Sequence, residues 1–296
     1  MSYTIKLFEE LDIMDDFLMN VIANDEEVGE RFCKTVLRVL LQREIGNIRI
    51  HVQRVMQGSL PTLRGIRLDV EIDEFDENED FWKKNVYDLE VHHKDGMNLP
   101  KHNRFYQAKI DSQNMKSGEK NFVNLPGLFV ITITDYDPFG HDYMMYTIRN
   151  RCEEIPELVY EDGLQFLYFN TKGRKGGNSS IKTLLNYIQD SKIDNVTDEA
   201  TREIHDYVSR VKVLPEVRIG YMLLEEKLFY RELNGKIEGK VESVLELLED
   251  LGEIPEDLLA TVRAETDLEV LKKWHKLAAK AESIEDFIDK IKETKK

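Results

Sequence analysis

Cysteine is scarce in this chain. Its two copies, Cys33 and Cys152, show neither metal-ligand spacing nor a catalytic partner motif, so they read as reduced, partly buried thiols and exclude a disulfide-stapled scaffold. Long apolar runs are missing too. Nothing approaches the ~18 apolar residues of a membrane-spanning helix, and no signal-peptide core follows Met1, so a cytoplasmic protein with no membrane partner is expected. Positive charge is in deficit, with 41 Lys and Arg against 57 Asp and Glu and a net charge of −16. That excludes a protein that coats nucleic acid by bulk electrostatics, because phosphate binding needs clustered cations. Such a cluster exists locally, where eight basic residues between Arg31 and Arg67 meet one acid, Glu44. These residues suit a basic face beside an acidic tail, or equally the solvated sides of a helix and two strands.

What is present is an ordinary globular composition, 296 residues at 41% hydrophobic, enough for one large domain or two smaller ones. Apolar spacing from Ile13 to Leu41 predicts two helices broken near Asn24-Asp25. "NIRIHVQRV" alternates as a half-buried strand that includes Gln53. "IRLDVEI" reads as one strand, "DEFDENEDFWKKN" as a long hairpin connection and "VYDLEVHH" as the partner strand. "KHNRFYQAKIDSQNM" has helical spacing, and "LFVITITD" is the strongest strand signal. "YMMYTI" and "LQFLYFN" follow as strands. "NTKGRKGG" lacks the GxxxxGK[ST] spacing of a phosphate loop and reads as a flexible connection. Beyond it the pattern is helical, with Gly235 and Gly239 as a joint because each weakens a helix by roughly 1 kcal/mol. The order of elements implies an α/β or α+β core with a mixed sheet over residues 1–192, a helical continuation over 193–234 and a helical appendage over 235–296.

The chemistry-bearing residues lie in "GIRLDVEIDEFDENEDFWKKNVYDLEVHHK". Metal-assisted phosphodiester hydrolysis needs carboxylates that hold a divalent ion and a polar group that handles the attacking water. An antiparallel hairpin can set Asp69 beside Glu90, and His92, two positions on, points to the same face as Glu90. The spacing alone also suits two acids facing solvent on an ordinary hairpin.

"GIRLDV", "YDLEVHH", "LPKHNRFYQAKID", "DYDPFG", "NRCEE" and "FNTKG", in this order, resemble the landmarks of the PD-(D/E)XK nuclease family transposases, relatives of the bacterial recombination-promoting nucleases. The resemblance runs from about Asp15-Asp16-Phe17 to Tyr221-Met222. It implies a restriction-endonuclease-like core, a mixed sheet flanked by helices, with an all-helical C-terminal extension. It also implies a DNA endonuclease using Mg2+ or Mn2+, with Asp69 and Glu90 as metal ligands. His92 departs from the family, which usually has glutamine there where other PD-(D/E)XK enzymes have lysine. A neutral histidine can bind a metal or order a water, and a charged one can stabilise a developing phosphorane, yet it lacks the amide's fixed donor and acceptor pair. The alternative is a catalytically decayed, nuclease-like scaffold that binds nucleic acid or a protein partner through its helical tail.

Further candidates follow from the same resemblance. Asp16 reads as a helix N-cap or as an accessory acid, and Gln53 as a solvent-facing strand residue or an accessory that orders water. Lys101, His102, Arg104, Lys109 and Arg67 are the candidate DNA contacts, while Tyr106 reads as packing and His93 and Lys94 as exposed. A homodimer is expected if both strands of a duplex are cut.

Overall fold

Two helices come first, as the apolar spacing requires. In this computed structural model, which describes residues 6–56, 66–76, 79–93, 98–115 and 121–294, α1 (Asp16–Ala23) and α2 (Gly29–Leu41) are separated by a turn. There the Asp25 carboxylate accepts from the backbone amides of Glu27 and Val28. α2 buries Phe32, Cys33, Val36, Leu37 and Leu40, the apolar stripe of an amphipathic helix. Both cysteines are free thiols, and burial pushes that of Cys33 up.

The sheet is built around an antiparallel meander of β1 (Asn47–Val52), β4 (Val70–Asp76) and β5 (Glu79–His92). α3 (Leu99–Asn114), capped by the Asn98 side chain on the Lys101 amide, then crosses over to β6 (Gly127–Thr134), which lies parallel to β5. β8 (Leu164–Asn170) is parallel to β6, and β7 (Met145–Ile148) closes the edge antiparallel to β8. The six strands stand in the order β1-β4-β5-β6-β8-β7, while β2 (Val55–Met56) and β3 (Ile66–Arg67) form a separate pair. The fold is therefore α/β with a mixed central sheet. β6 buries Leu128, Val130, Ile131 and Ile133 on alternate and adjacent positions because both of its faces are covered. On one face Val86, Leu128 and Val130 pack with Ile110 of α3. α4 (Ser179–Gln189) and α5 (Glu199–Lys212) pack with α1 and α2. Among the described residues, no helix is long and apolar enough to cross a membrane.

Several local expectations need correction. The acidic stretch read as a long connection is mostly strand: β4 runs to Asp76 and β5 restarts at Glu79, with residues 77 and 78 outside the described ones. "IRLDVEI" is not one strand, because it breaks at Leu68-Asp69 between β3 and β4. Gln53 lies just past β1 in a left-handed turn, φ 52°. "NTKGRKGG" does join a strand, β8, to a helix, α4, and is tied down by backbone bonds from Arg174 and Lys175 to the Asp142 carbonyl.

One buried acid explains why the hairpin extends so far. Glu74 of β4 accepts from the Arg43 guanidinium (2.9 and 3.2 Å), the Gly46 amide (2.9 Å), the Asn85 side chain (2.7 Å) and the Tyr87 hydroxyl. Gly46 is required there, since a Cβ would meet the Phe75 carbonyl oxygen at 2.8 Å. Burial by itself would raise the Glu74 carboxyl, but the Arg43 bond and the other donors hold it down at about 2.

Residues Met1–Arg218 and Ile219–Lys296 form two compact units. α6 (Pro215–Glu249) continues unbroken through Gly235 and Gly239, where a joint was expected. The two glycine penalties are offset downstream, where Val244 and Leu248 of α6 are fully buried in the core of the second unit. α7 (Glu256–Ala264), α8 (Leu268–Ala278) and α9 (Ile284–Thr294) supply Leu258, Val262, Leu271, Trp274 and Phe287 to that core.

Removing one member of the Arg43–Glu74 pair should leave a buried charge without its partner. Arg43→Met is expected to cost about 3 kcal/mol in urea denaturation, the low end for such pairs because Arg43 keeps 34% of its side chain in solvent. The stability lost is that present above the unfolded carboxylate range, so the variant and wild type should converge as pH falls toward about 2.

Candidate metal centre

The sequences Asp69-Val70-Glu71-Ile72-Asp73 and Asp88-Leu89-Glu90-Val91-His92 alternate polar and apolar residues with period two. In the β4–β5 ladder Val70 faces Leu89, Glu71 faces Asp88 and Ile72 faces Tyr87. One step further along that register Asp69 lies opposite Glu90. The apolar members thus share one face and the acids share the other, since successive side chains point to opposite sides of a strand.

At the open end of this acidic row the polar groups converge. His92 Nε2 lies 3.2 Å from Glu90 Oε2, and His102 Nδ1 of α3 lies 4.0 Å from the same oxygen. Among the described residues, Glu90, His92 and His102 offer one ligand atom each, all within 4.8 Å of one another. Glu90 is buried, while the imidazoles of His92 and His102 keep 17% and 11% of their side chains in solvent. The His102 ring is fixed from two sides. It lies against Tyr106 with centroids 3.9 Å apart, and its Nδ1 is 3.1 Å from the Asn103 amide oxygen. Asn103 is itself buried and donates to Thr132 Oγ1 at 2.9 Å.

The electrostatics grade along the row. Asp73, next to the hairpin end, would be raised by burial, but His51 Nε2 at 3.2 Å and Lys83 Nζ at 2.9 Å hold it low. Glu71 is raised by burial despite its contact with Arg54. Asp88 is fully buried, and neither carboxylate oxygen has a hydrogen-bond partner among the described residues. Its carboxyl is pushed well up by burial and by the negative charges of Glu90, Asp69 and Glu71. Glu90 is raised by burial, then by Asp69 and Asp16, and Asp69 is pushed up to about 6 by burial and by Asp16. Burial lowers His92, against the pull of Asp69 and Asp16. Acids raised in this way are the donor set a divalent cation would satisfy, and they fit one chemically.

The structure brings Asp69, Glu90, His92, His102 and Asp16 together. Asp16 is the first residue of α1 rather than its N-cap, which is Asp15, and the Asp16 carboxyl is raised by burial while feeling His93 and His92. Arg67 is exposed beside the acids, and its guanidinium donates to the Gln53 side chain. Gln53 meets the site through its backbone, whose amide donates to the Asp69 carbonyl at 2.8 Å. Lys101 and Arg104 are exposed on α3, and Lys109 is half-buried with its ammonium 5.7 Å from the Phe105 ring. Tyr106 packs as expected, whereas His93, though exposed, contacts the Met14 carbonyl at 2.5 Å. Lys94 lies outside the described residues. Sequence reasoning missed Glu71, Asp73 and Asp88. Their signal was the period-two alternation itself.

Comparison with protein-family models, with curated proteins and with solved structures gave no match to this chain.

Asp69 holds its proton up to about 6 in the folded chain but loses it near the ordinary carboxylate range when unfolded. The folded state therefore binds more protons in that window, and stability is lost as pH rises through it. In the absence of divalent ions, Asp69→Asn should gain on wild type by roughly 2–3 kcal/mol between about pH 4 and pH 7. Urea denaturation at each pH reads the difference, and a gap that stays constant would refute it. Asp88→Asn should show the same sign, its advantage widening as pH rises.

Proposed function

We propose that this chain is a metal-dependent DNA endonuclease of the PD-(D/E)XK type. The observation that carries the reading is the meeting of Asp16, Asp69 and Glu90, from three separate elements, with His92 at one end of the central strands. Gathering acids whose carboxyls are all pushed up costs the fold stability, so their convergence is explained by a ligand rather than by packing. The mixed sheet flanked by helices agrees with what the sequence resemblance implies.

Asp69 and Glu90 would hold the ion, Mg2+ or Mn2+ on the resemblance, with Asp16 as the accessory acid. Bound there, such an ion supplies a Lewis acid and a water of lowered pKa. His92, lowered by burial, presents a lone pair that serves either the ion or the attacking water. Arg67, Lys101 and Arg104 are exposed and Lys109 half-buried, and these cations are the proposed contacts to the phosphate backbone. DNA is the proposed partner, the cytoplasm the proposed compartment, and a homodimer the proposed assembly for cutting both strands.

A second reading, a nuclease-like scaffold without catalysis, is favoured by the surface of α6. Ile219, Met222, Leu223, Phe229 and Tyr230 are all more than half exposed along it, an apolar stripe suited to a partner.

Nicking of supercoiled plasmid separates the two. Wild type with Mg2+ or Mn2+ should cut, Asp69→Ala and Glu90→Gln should lose at least ~100-fold, and His92→Ala about 100-fold. An inert wild type beside an active His92→Gln would assign the chain to the scaffold reading.

A further inference from the structure

We propose that His102 is a metal ligand, and that Glu90, His92 and His102 together select a first-row transition ion over Mg2+. The inference rests on the reading of this cluster as the metal-holding part of the site, and not on what that site cuts.

The argument is one of donor chemistry. Mg2+ demands near-ideal octahedral oxygen coordination and gives up its water reluctantly, whereas imidazole nitrogen suits zinc, nickel, cobalt and iron. Here two of the three convergent donors are imidazoles, each of the three residues offering a ligand atom within 4.8 Å of the others, with His92 Nε2 at 3.2 Å from Glu90 Oε2. The rings stand edge to face, 88° apart with centroids at 5.5 Å, so they come to Glu90 from different directions instead of stacking side by side. That is how separate ligands of one ion are disposed.

The surroundings of His102 are those of a positioned ligand, not of a phosphate-seeking side chain. Only 11% of its side chain reaches solvent, which suits an inward role better than contact with a nucleic-acid backbone. Tyr106 backs the ring and is anchored by its hydroxyl, which donates to the Arg67 carbonyl at 3.3 Å. Asn103, itself bonded to Thr132, holds its amide oxygen 3.1 Å from His102 Nδ1, so Nε2 is the ring nitrogen that would meet the ion. Outer partners of this kind fix ring orientation in histidine-ligated metal sites. Asp69 lies opposite Glu90 in the strand register and supplies a further oxygen, giving a mixed nitrogen and oxygen set.

The test uses Co2+ as probe on the full-length chain, comparing wild type with His102→Asn and His102→Gln. Calorimetric titration and the visible absorption of bound Co2+ measure affinity and nitrogen ligation directly. Circular dichroism of the ion-free variants checks that they remain folded. Wild type should bind Co2+ at least ~100-fold more tightly than Mg2+, and folded His102 variants should lose ~10–100-fold in Co2+ affinity while their Mg2+ affinity changes little. Equal Co2+ binding by wild type and the variants, or Mg2+ bound as tightly as Co2+, overturns the proposal. Imidazole-ligated Co2+ without plasmid cleavage upholds it and removes the nuclease reading. Mg2+-supported cleavage that is indifferent to His102, with no His102-dependent Co2+ binding, does the reverse.

Discussion

Five carboxylates on one face of a two-strand ladder, most of them out of contact with water, are the constraint around which this molecule is organised. A buried carboxylate is tolerable when donors surround it and costly when they do not. Asp73, near the hairpin end, has His51 and Lys83, and it behaves as an ordinary structural ion. Toward the other end the donors run out. Asp88 has none among the described residues, and Asp69 and Glu90 face chiefly one another, Asp16 and two imidazoles. The same alternating pattern thus begins as a set of paired charges and ends as a set of acids raised by burial and by one another. Glu74, on the opposite face, provides the contrast: four separate donors hold it low, and it contributes to the fold instead of taxing it.

Which parts of this were legible in the sequence follows from the range of the interactions involved. The break between the first two helices, the β6 strand and the crossover helix are written in local periodicity, and they stand where the spacing put them. The hairpin was misjudged because Asp and Glu are poor strand formers, and propensity alone turns "DEFDENED" into a loop. What makes strand of it is Arg43, 31 positions from Glu74, together with Asn85 and Tyr87 on the next strand. No local window contains that information. Gly235 and Gly239 misled for the matching reason: the helical cost is local, and the burial of Val244 and Leu248 that offsets it is not.

The site was legible in outline for a similar reason. Asp69, Glu90 and His92 stand out by spacing on adjacent strands, and the register that joins them follows from the apolar alternation. His102 could be found as a residue but not as a neighbour of Glu90, because its placement depends on the angle at which α3 returns across the sheet. Asp88 was hidden by its company. In a run that reads Asp-Leu-Glu-Val-His, nothing local says which acid has donors around it and which has none.

The two histidines belong to one physical account. A glutamine at position 92 would bring a fixed donor and acceptor; a buried neutral imidazole brings a lone pair and a proton affinity that answers to its surroundings. Alone, that exchange looks like loss of function. Beside His102, on the proposal made above, it would be a change in the kind of cation the site prefers. On this view the raised carboxyls of Asp69 and Glu90 and the nitrogen donors have one origin. Each would gain from a cation, and on the proposed reading the free energy of binding it would add to the stability of the folded chain.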